Sequence, residues 1–176
     1  QSVPYLYNGY YYITRFETGK DYPIYSRKKE SLSAKEEIMF DCNELAKGQS
    51  YFQLGGLSIS PDNKLAIFST DTVGRRIYTI QVKSLETNAI LEDKIEKVTG
   101  SAVWANDNKT IFYSSQDEVT LRSDKIFKHK LGTKQADDVL VYFEKDDTFN
   151  VEIAKSKSRK YLAIESGSTL TTEYRI

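Results

Sequence analysis

Residues 54–82, LGGLSISPDNKLAIFSTDTVGRRIYTIQV, decide the fold of this chain. Apolar and polar residues alternate over residues 57–60, and a second run of apolar and aromatic residues covers 65–69. Between these runs, Pro61-Asp62-Asn63 has the residue types that favour a tight turn. A third alternating run follows at residues 76–82. The stretch therefore predicts three antiparallel strands of one sheet.

The same plan returns twice further along the chain. Residues 101–131 repeat it with the turn Ala105-Asn106-Asp107-Asn108, about 45 residues after the first turn. A fainter copy starts at Val151, and its turn, residues 156–159, lies about 50 residues further on. Repeats of this length, each holding about four short strands, are typical of β-propeller blades.

The N-terminal segment fits a more divergent repeat. Asn8-Gly9 is a strong signal for a two-residue hairpin, and residues 37–40 are expected to close the sheet. Residues 41–47 predict one helical turn, capped by Asp41 or Asn43 and ended by Gly48. We therefore predict an all-β fold, a partial β-propeller of about three and a half antiparallel four-stranded blades. The blades are expected at about residues 3–46, 51–95, 98–145 and, in part, 149–176, as one domain.

Composition limits the functional classes. Lys and Arg together number 25, as do Asp and Glu, so the net charge of zero gives no attraction to nucleic acid or anionic membrane. No apolar run approaches the roughly 18 residues of a membrane span. A single cysteine, Cys42, excludes an internal disulfide framework. No signal peptide is visible, so we expect a cytoplasmic location, with the periplasm as the open alternative.

Catalytic motifs are missing from these residues. Strand alternation puts the single histidine, His129, on the same face as Phe127 and Leu131, which predicts that it packs in or at the edge of a blade core. No Gly-x-Ser-x-Gly nucleophile elbow occurs, and Cys42 and Trp104 are expected to be structural. We find no zinc, calcium or phosphate-loop pattern. The sequence predicts no catalytic, cofactor-binding or metal site of its own.

Short segments spread along the whole chain carry a resemblance to a known family. They are Val3-Pro4-Tyr5, residues 10–15, Tyr22-Pro23-Ile24-Tyr25, residues 57–63, residues 103–107, Val119-Thr120-Leu121, residues 129–133, Val139-Leu140-Val141-Tyr142, residues 144–149 and residues 171–175. In family order, they resemble the N-terminal part of the propeller of the prolyl oligopeptidase family, most closely its oligopeptidase B branch, although none is a catalytic motif.

The resemblance implies a two-domain serine peptidase, in which a seven-bladed propeller caps an α/β-hydrolase domain that bears the catalytic triad. That domain is absent from these 176 residues, so no catalytic residue carries over to them. The oligopeptidase B branch cleaves short peptides after Arg or Lys, and its propeller acts as a lid that excludes folded proteins.

In the family, loops that join the second and third strands of each blade lie toward the hydrolase domain. The corresponding loops here are residues 17–21, 70–76, 116–124 and 167–171. Arg75 and Arg76 are therefore candidate interdomain contacts, with a solvated pair as the other interpretation.

Two further expectations concern the function and the assembly of the chain. A stand-alone propeller that binds a protein or another ligand, without enzymatic activity, fits the missing motifs equally well. The chain stops at Arg175-Ile176, inside a predicted strand, as a fragment would. An incomplete ring leaves one face of each end blade without its neighbour, so we expect self-association through residues 3–40 and 149–176.

Overall fold

In a computed structural model that describes residues 1–176, the chain folds as two compact units, Gln1–Phe52 and Gln53–Ile176. Fourteen β-strands make up nearly all of the regular structure. The other elements are one short helix, α1 (Cys42–Leu45), and a 3-10 turn at Gln135–Asp137. The prediction of an all-β fold without a long helix is confirmed.

The first unit is a single antiparallel sheet in the order β1-β2-β3-β4. Asn8 and Gly9 both have positive φ, 47° and 80°, which produces the tight hairpin that the sequence predicts. The Asp41 carboxylate accepts a hydrogen bond of 2.9 Å from the Asn43 N–H and caps α1. The strands are β1 (Tyr5–Tyr7), β2 (Tyr10–Arg15), β3 (Ile24–Lys29) and β4 (Glu36–Asp41).

The second unit contains a seven-stranded sheet, β5 to β11 in sequence order, and a three-stranded sheet, β12-β13-β14. Both sheets are antiparallel, and the three strands predicted within residues 54–82 are β5, β6 and β7. The bounds are β5 (Gln53–Ile59), β6 (Leu65–Asp71), β7 (Tyr78–Ser84), β8 (Ile90–Trp104), β9 (Thr110–Gln116), β10 (Ser123–Lys130), β11 (Val139–Phe143), β12 (Asn150–Lys155), β13 (Leu162–Gly167) and β14 (Thr172–Arg175).

One long strand, β8, joins the second and third predicted blades. It pairs with β7 as far as Val98, and with β9 from Val98 to Trp104. The boundary that the sequence suggested, between residues 95 and 98, therefore falls inside this strand. Gly100, with φ of 87°, gives the backbone a bend that other residues rarely adopt. The strand thus pairs with β7 over its first part and with β9 over its last part, and the pairing with β9 shifts register between Val98 and Ala102.

The turn between the first two strands of each repeat has the same geometry three times. Asn63, Asn108 and Arg159 have φ of 64°, 58° and 61° at equivalent positions. Hydrogen bonds link successive turns, because the Asp62 N–H donates to Asn108 Oδ1 and Asn106 Nδ2 donates to the Arg159 carbonyl, both over 2.9 Å. The repeat that the sequence predicts is therefore confirmed in the structure.

The first strands of successive repeats are linked in the same way. Trp104 Nε1 donates to the Ser58 carbonyl over 3.1 Å, and Lys155 Nζ donates to the Trp104 carbonyl over 2.8 Å. Burial lowers the pKa of Lys155, since the charged amine is partly removed from water. Trp104 lies in the core, as predicted.

Strand β9 packs apolar side chains on both of its faces. Ile111 and Tyr113 belong to one buried cluster and Phe112 packs against another, which matches the sequence prediction for a blade. Each large buried side chain contributes about 1.5–3 kcal/mol to stability. The first cluster also holds Ile67, Tyr78, Ile80, Val82, Ile95, Val98 and Trp104, and the second holds Ile126, Val151 and Ile153.

Candidate docking face

Three loops of the second unit join the second and third strands of a repeat, and we call them together the loop face. They are residues 72–77 (β6–β7), 117–122 (β9–β10) and 168–171 (β13–β14). The first two are connected through side chains of the adjoining strands β9 and β8. Gln116 Nε2 donates to the Arg76 carbonyl over 2.8 Å, and Lys97 Nζ lies 2.9 Å from the Glu118 carboxylate.

The guanidinium of Arg122, the last residue of the second loop, holds the segment that precedes β12. Arg122 donates to the carbonyls of Glu144, Asp146 and Phe149 over 2.5–2.9 Å. Phe149 precedes β12, whose first residue pairs with Gly167 directly before the third loop. The three loops therefore lie at one end of the second unit.

A buried carboxylate shapes the β6–β7 loop. Asp71 Oδ1 accepts hydrogen bonds from the Val73 and Gly74 N–H groups over 2.8 and 2.9 Å, and Oδ2 accepts from the Arg76 N–H over 2.7 Å. Burial opposes ionisation, but these hydrogen bonds outweigh it and hold the pKa of Asp71 below its usual value. The loop backbone is thus fixed by one ionised side chain.

The other two loops are closed by short polar side chains. Asp117 Oδ1 accepts from the N–H groups of Val119 and Thr120 over 3.0 and 2.7 Å. These bonds, with the Thr120 N–H the strongest, lower the pKa of Asp117. In the third loop the Ser168 N–H donates to the Thr171 carbonyl over 2.8 Å. All three loops therefore have defined backbones.

Each loop of the loop face exposes one apolar side chain. Val73 is 71% exposed, Val119 is 88% exposed and Leu170 is 96% exposed. In the first unit, Phe16 stands next to the corresponding turn and is 62% exposed. Sequence analysis missed this pattern, although apolar residues are visible within each polar loop, two in residues 72–77, two in residues 117–122 and one in residues 168–171.

The turns between the first and second strands of each repeat differ from the loop face. Residues 61–64 and 106–109 carry no exposed large hydrophobic side chain, and the third turn is followed by one, Tyr161. Exposed apolar side chains on loops at one end of a unit offer a surface that a partner can cover. The loop face is therefore the candidate docking face of this chain.

The two predicted contact residues, Arg75 and Arg76, lie on this face. Both are exposed. The backbone of Arg76 is held on both sides, its N–H by Asp71 and its carbonyl by Gln116. The Arg75 guanidinium has no ion-pair partner within the chain, and the residue lines a cleft beside β8.

His129 lies in a buried polar network, as expected for a core residue. Its Nδ1 is 2.7 Å from Asp138 Oδ1, and its Nε2 is 3.1 Å from Asp93 Oδ1. Asp93 also accepts the Gly132 N–H over 2.6 Å, and the Tyr113 hydroxyl donates to Asp138 Oδ2 over 2.8 Å. Burial, with Asp138 beside it, raises the pKa of Tyr113 and keeps it a neutral donor.

This network cannot activate a nucleophile. A general base needs a free ring nitrogen within reach of a hydroxyl or thiol, and both nitrogens of His129 face carboxylates. Cys42 is buried, and burial raises the pKa of its thiol to about 12. No group of three or more His, Cys, Asp and Glu side chains is placed to hold a metal ion. None of the helices has the length and apolar character needed to cross a membrane.

Comparison with known sequences identifies relatives along the whole chain. The family described as "Prolyl oligopeptidase, N-terminal beta-propeller domain" matches residues 1–176. Dipeptidyl aminopeptidase BI of Pseudoxanthomonas mexicana is 38% identical over 99% of this chain, and Protease 2 of Moraxella lacunata is 34% identical over 97%. The chain spans about a quarter of the length of these relatives, 26% of each.

Solved structures show the same similarity in three dimensions. Oligopeptidase B from Leishmania major matches 98% of this chain with a TM-score of 0.92 and 33% identity, over 25% of its own length. Oligopeptidase B from Trypanosoma brucei, in a closed form with covalently bound antipain, matches 98% of this chain with a TM-score of 0.89 and 31% identity, over 24% of its own length. The chain belongs to the prolyl oligopeptidase family, and it corresponds to sequence in that family's N-terminal β-propeller domain.

Proposed function

We propose that this chain is a non-catalytic segment of a single propeller domain, which acts as a lid over an α/β-hydrolase domain of the same parent protein. The exposed apolar side chains of the loop face, Val73, Val119 and Leu170, carry this proposal. Groups of this kind favour a site that a partner covers. The lid admits short peptides and excludes folded proteins.

The proposed parent enzyme is a serine oligopeptidase that cleaves short peptides after Arg or Lys. The similarity to oligopeptidase B and to Protease 2 supports this assignment. Within the lid, Arg75 and Arg76 are the proposed contacts with the hydrolase domain. A cytoplasmic location is proposed for the parent enzyme, with the periplasm as the alternative.

The coding sequence beyond residue 176 gives the first test. We expect a Gly-x-Ser-x-Gly motif followed by Asp and His, the order of the α/β-hydrolase triad. The parent enzyme should hydrolyse Arg and Lys amide substrates, and the 176-residue chain alone should not, because it has no paired nucleophile and base. Further blades followed by a stop codon would replace this proposal with a stand-alone binding propeller.

Docking itself is tested in the parent enzyme with Val119→Glu. Placing a charge where an apolar side chain is covered should weaken docking by about 2 kcal/mol. We expect a lower melting temperature and faster proteolytic separation of the two domains. The matched control is Lys157→Glu in the polar turn that precedes β13, which should behave as wild type. Equal behaviour of the two variants would show that Val119 is not covered.

We also propose that the chain alone self-associates through its first and last sheets. Tyr5 and Leu6 of β1 and Tyr174 of β14 are large and exposed. Light scattering at micromolar concentration should show oligomers, and Leu6→Glu together with Tyr174→Glu should return the chain to a monomer. Glu152→Gln, an exposed position of β12, is the control. A wild-type monomer, or an oligomer that ignores the double substitution, contradicts the proposal.

A further inference from the structure

An open cleft of about 420 Å³ lies beside the β6–β7 loop. The loop supplies one wall with Thr72, Val73 and Arg75, and β8 supplies the other with Glu96 and Lys97. Ile77 adds an apolar surface, and Thr70 and Thr79 add hydroxyl groups. The volume falls within the range of sites that bind small ligands or single side chains.

The charges that line this cleft are unequally compensated. The Glu96 carboxylate pairs with Lys94 over 2.6 Å, and Lys97 pairs with Glu118 over 2.9 Å. Arg75 is left as the charged side chain of the cleft without an ion-pair partner. The cleft therefore has one uncompensated positive charge.

The backbone on both sides of Arg75 is fixed. Asp71 accepts the N–H groups of Gly74 and Arg76, and Gln116 donates to the Arg76 carbonyl. A loop that is already ordered loses little conformational entropy when it binds a ligand. The backbone of Arg75 is thus fixed at the edge of the cleft, and its guanidinium has no ion-pair partner.

We propose that this cleft is a carboxylate-binding site with Arg75 as its main ligand-binding residue. A guanidinium matches the planar carboxylate with two parallel hydrogen bonds. The threonine hydroxyls are further donors, and Val73 and Ile77 offer an apolar surface to the chain that bears the carboxylate. The ligand is an acidic side chain or a C-terminal carboxylate, from a bound peptide or from the domain docked on the loop face. The inference rests on the proposed function only for this second source.

The site is tested in the 176-residue chain by NMR, with labelled Arg75 Nε–Hε as the reporter. The probe is N-acetyl-Ala-Ala-Glu-amide, and the neutral comparison is N-acetyl-Ala-Ala-Gln-amide at the same ionic strength. We expect a saturable shift at Arg75 and in the loop amides, with the Glu peptide binding at least about tenfold more tightly than the Gln peptide.

Three variants distinguish specific binding by the Arg75 guanidinium from nonspecific attraction to positive charge. Arg75→Gln should lower the affinity for the Glu peptide by about tenfold, as measured from the shifts of the loop amides. Arg76→Gln removes an equal charge from the neighbouring residue and should leave the affinity unchanged. Arg75→Lys keeps the charge but lacks the planar guanidinium, so its affinity should lie between those of wild type and Arg75→Gln. Arg75 is exposed, so unchanged amide dispersion will confirm that the variants fold. Equal responses to the two peptides, equal losses in the two Gln variants, or no saturable shift would overturn the proposal.

The parent enzyme distinguishes the two sources of the carboxylate. If the docked domain supplies it, Arg75 will already show the bound resonance and will not respond to the Glu peptide. If a peptide supplies it, the resonance will move during the titration. If the isolated chain does not bind the Glu peptide, the carboxylate site is contradicted, but the lid function is not, because it depends on the exposed apolar side chains. If the coding sequence lacks a nucleophile elbow, the lid function is contradicted, but the titration result is not affected.

Discussion

Replacing Gly56 with Ala is expected to lower the free energy of unfolding by about 3 kcal/mol. A Cβ atom at this position would lie well under 3.0 Å from the carbonyl oxygen of Gly100, and Cβ atoms essentially never come that close to another heavy atom. The obstacle is backbone rather than a flexible side chain, so β5 and β8 must move apart. The same carbonyl accepts a buried hydrogen bond from Ser69 Oγ over 3.0 Å, which the movement would also disturb.

Urea unfolding followed by circular dichroism measures this effect. Gly167→Ala is the matched control, because Gly167 is also a strand glycine with ordinary φ, and a Cβ there would meet only Thr172 Oγ1 at 3.6 Å. We expect this control to remain within about 1 kcal/mol of wild type. If Gly56→Ala were as stable as Gly167→Ala, the close approach of β5 and β8 would be incorrect.

Replacing His129 with Leu is expected to have the largest effect, a loss of about 3–5 kcal/mol. Both ring nitrogens of His129 lie within hydrogen-bond distance of buried carboxylates, Nδ1 of Asp138 and Nε2 of Asp93. With leucine at this position, each carboxylate loses its contact with the ring, and Asp138 keeps the Tyr113 hydroxyl while Asp93 keeps the Gly132 N–H. The cost comes from leaving these charges buried rather than from the lost packing of the ring.

A set of variants separates these causes in the same unfolding assay. His129→Leu combined with Asp93→Asn and Asp138→Asn removes the buried charges, and it should recover at least about 1 kcal/mol of the loss. Lys128→Ala changes the exposed neighbour on β10 and should be close to neutral. If the triple variant were less stable than His129→Leu alone, the unpaired carboxylates would not explain the effect.

The local structure of this chain was predictable from its sequence because short-range chemistry determines it. Alternation within residues 57–60 and 76–82 gave strands, and Pro61-Asp62-Asn63 gave their turn. Asn8-Gly9 gave a hairpin, since both residues tolerate positive φ. The spacing of the turns predicted the repeat, and the family resemblance implied that the repeats belong to a larger propeller.

Contacts between distant residues had to come from the tertiary structure. Asp93 lies far from His129 in sequence, and only the pairing of β8 with its neighbours brings its carboxylate to the ring. Strand β8 continues past the suggested blade boundary, because its first part pairs with β7 and its last part with β9, which gives backbone hydrogen-bond partners to both parts.

The candidate docking face also combines features that the sequence predicts with features that only the tertiary structure shows. The sequence placed Arg75 and Arg76 in the loop that follows β6. It did not show that Arg75 lacks an ion-pair partner or that Val73, Val119 and Leu170 lie at one end of the second unit. Exposure and ion pairing are properties of the folded arrangement, since each depends on which other groups come near. The sequence by itself determined the strands, turns and repeat of this protein, and the packing of those repeats decided which side chains are left for a partner.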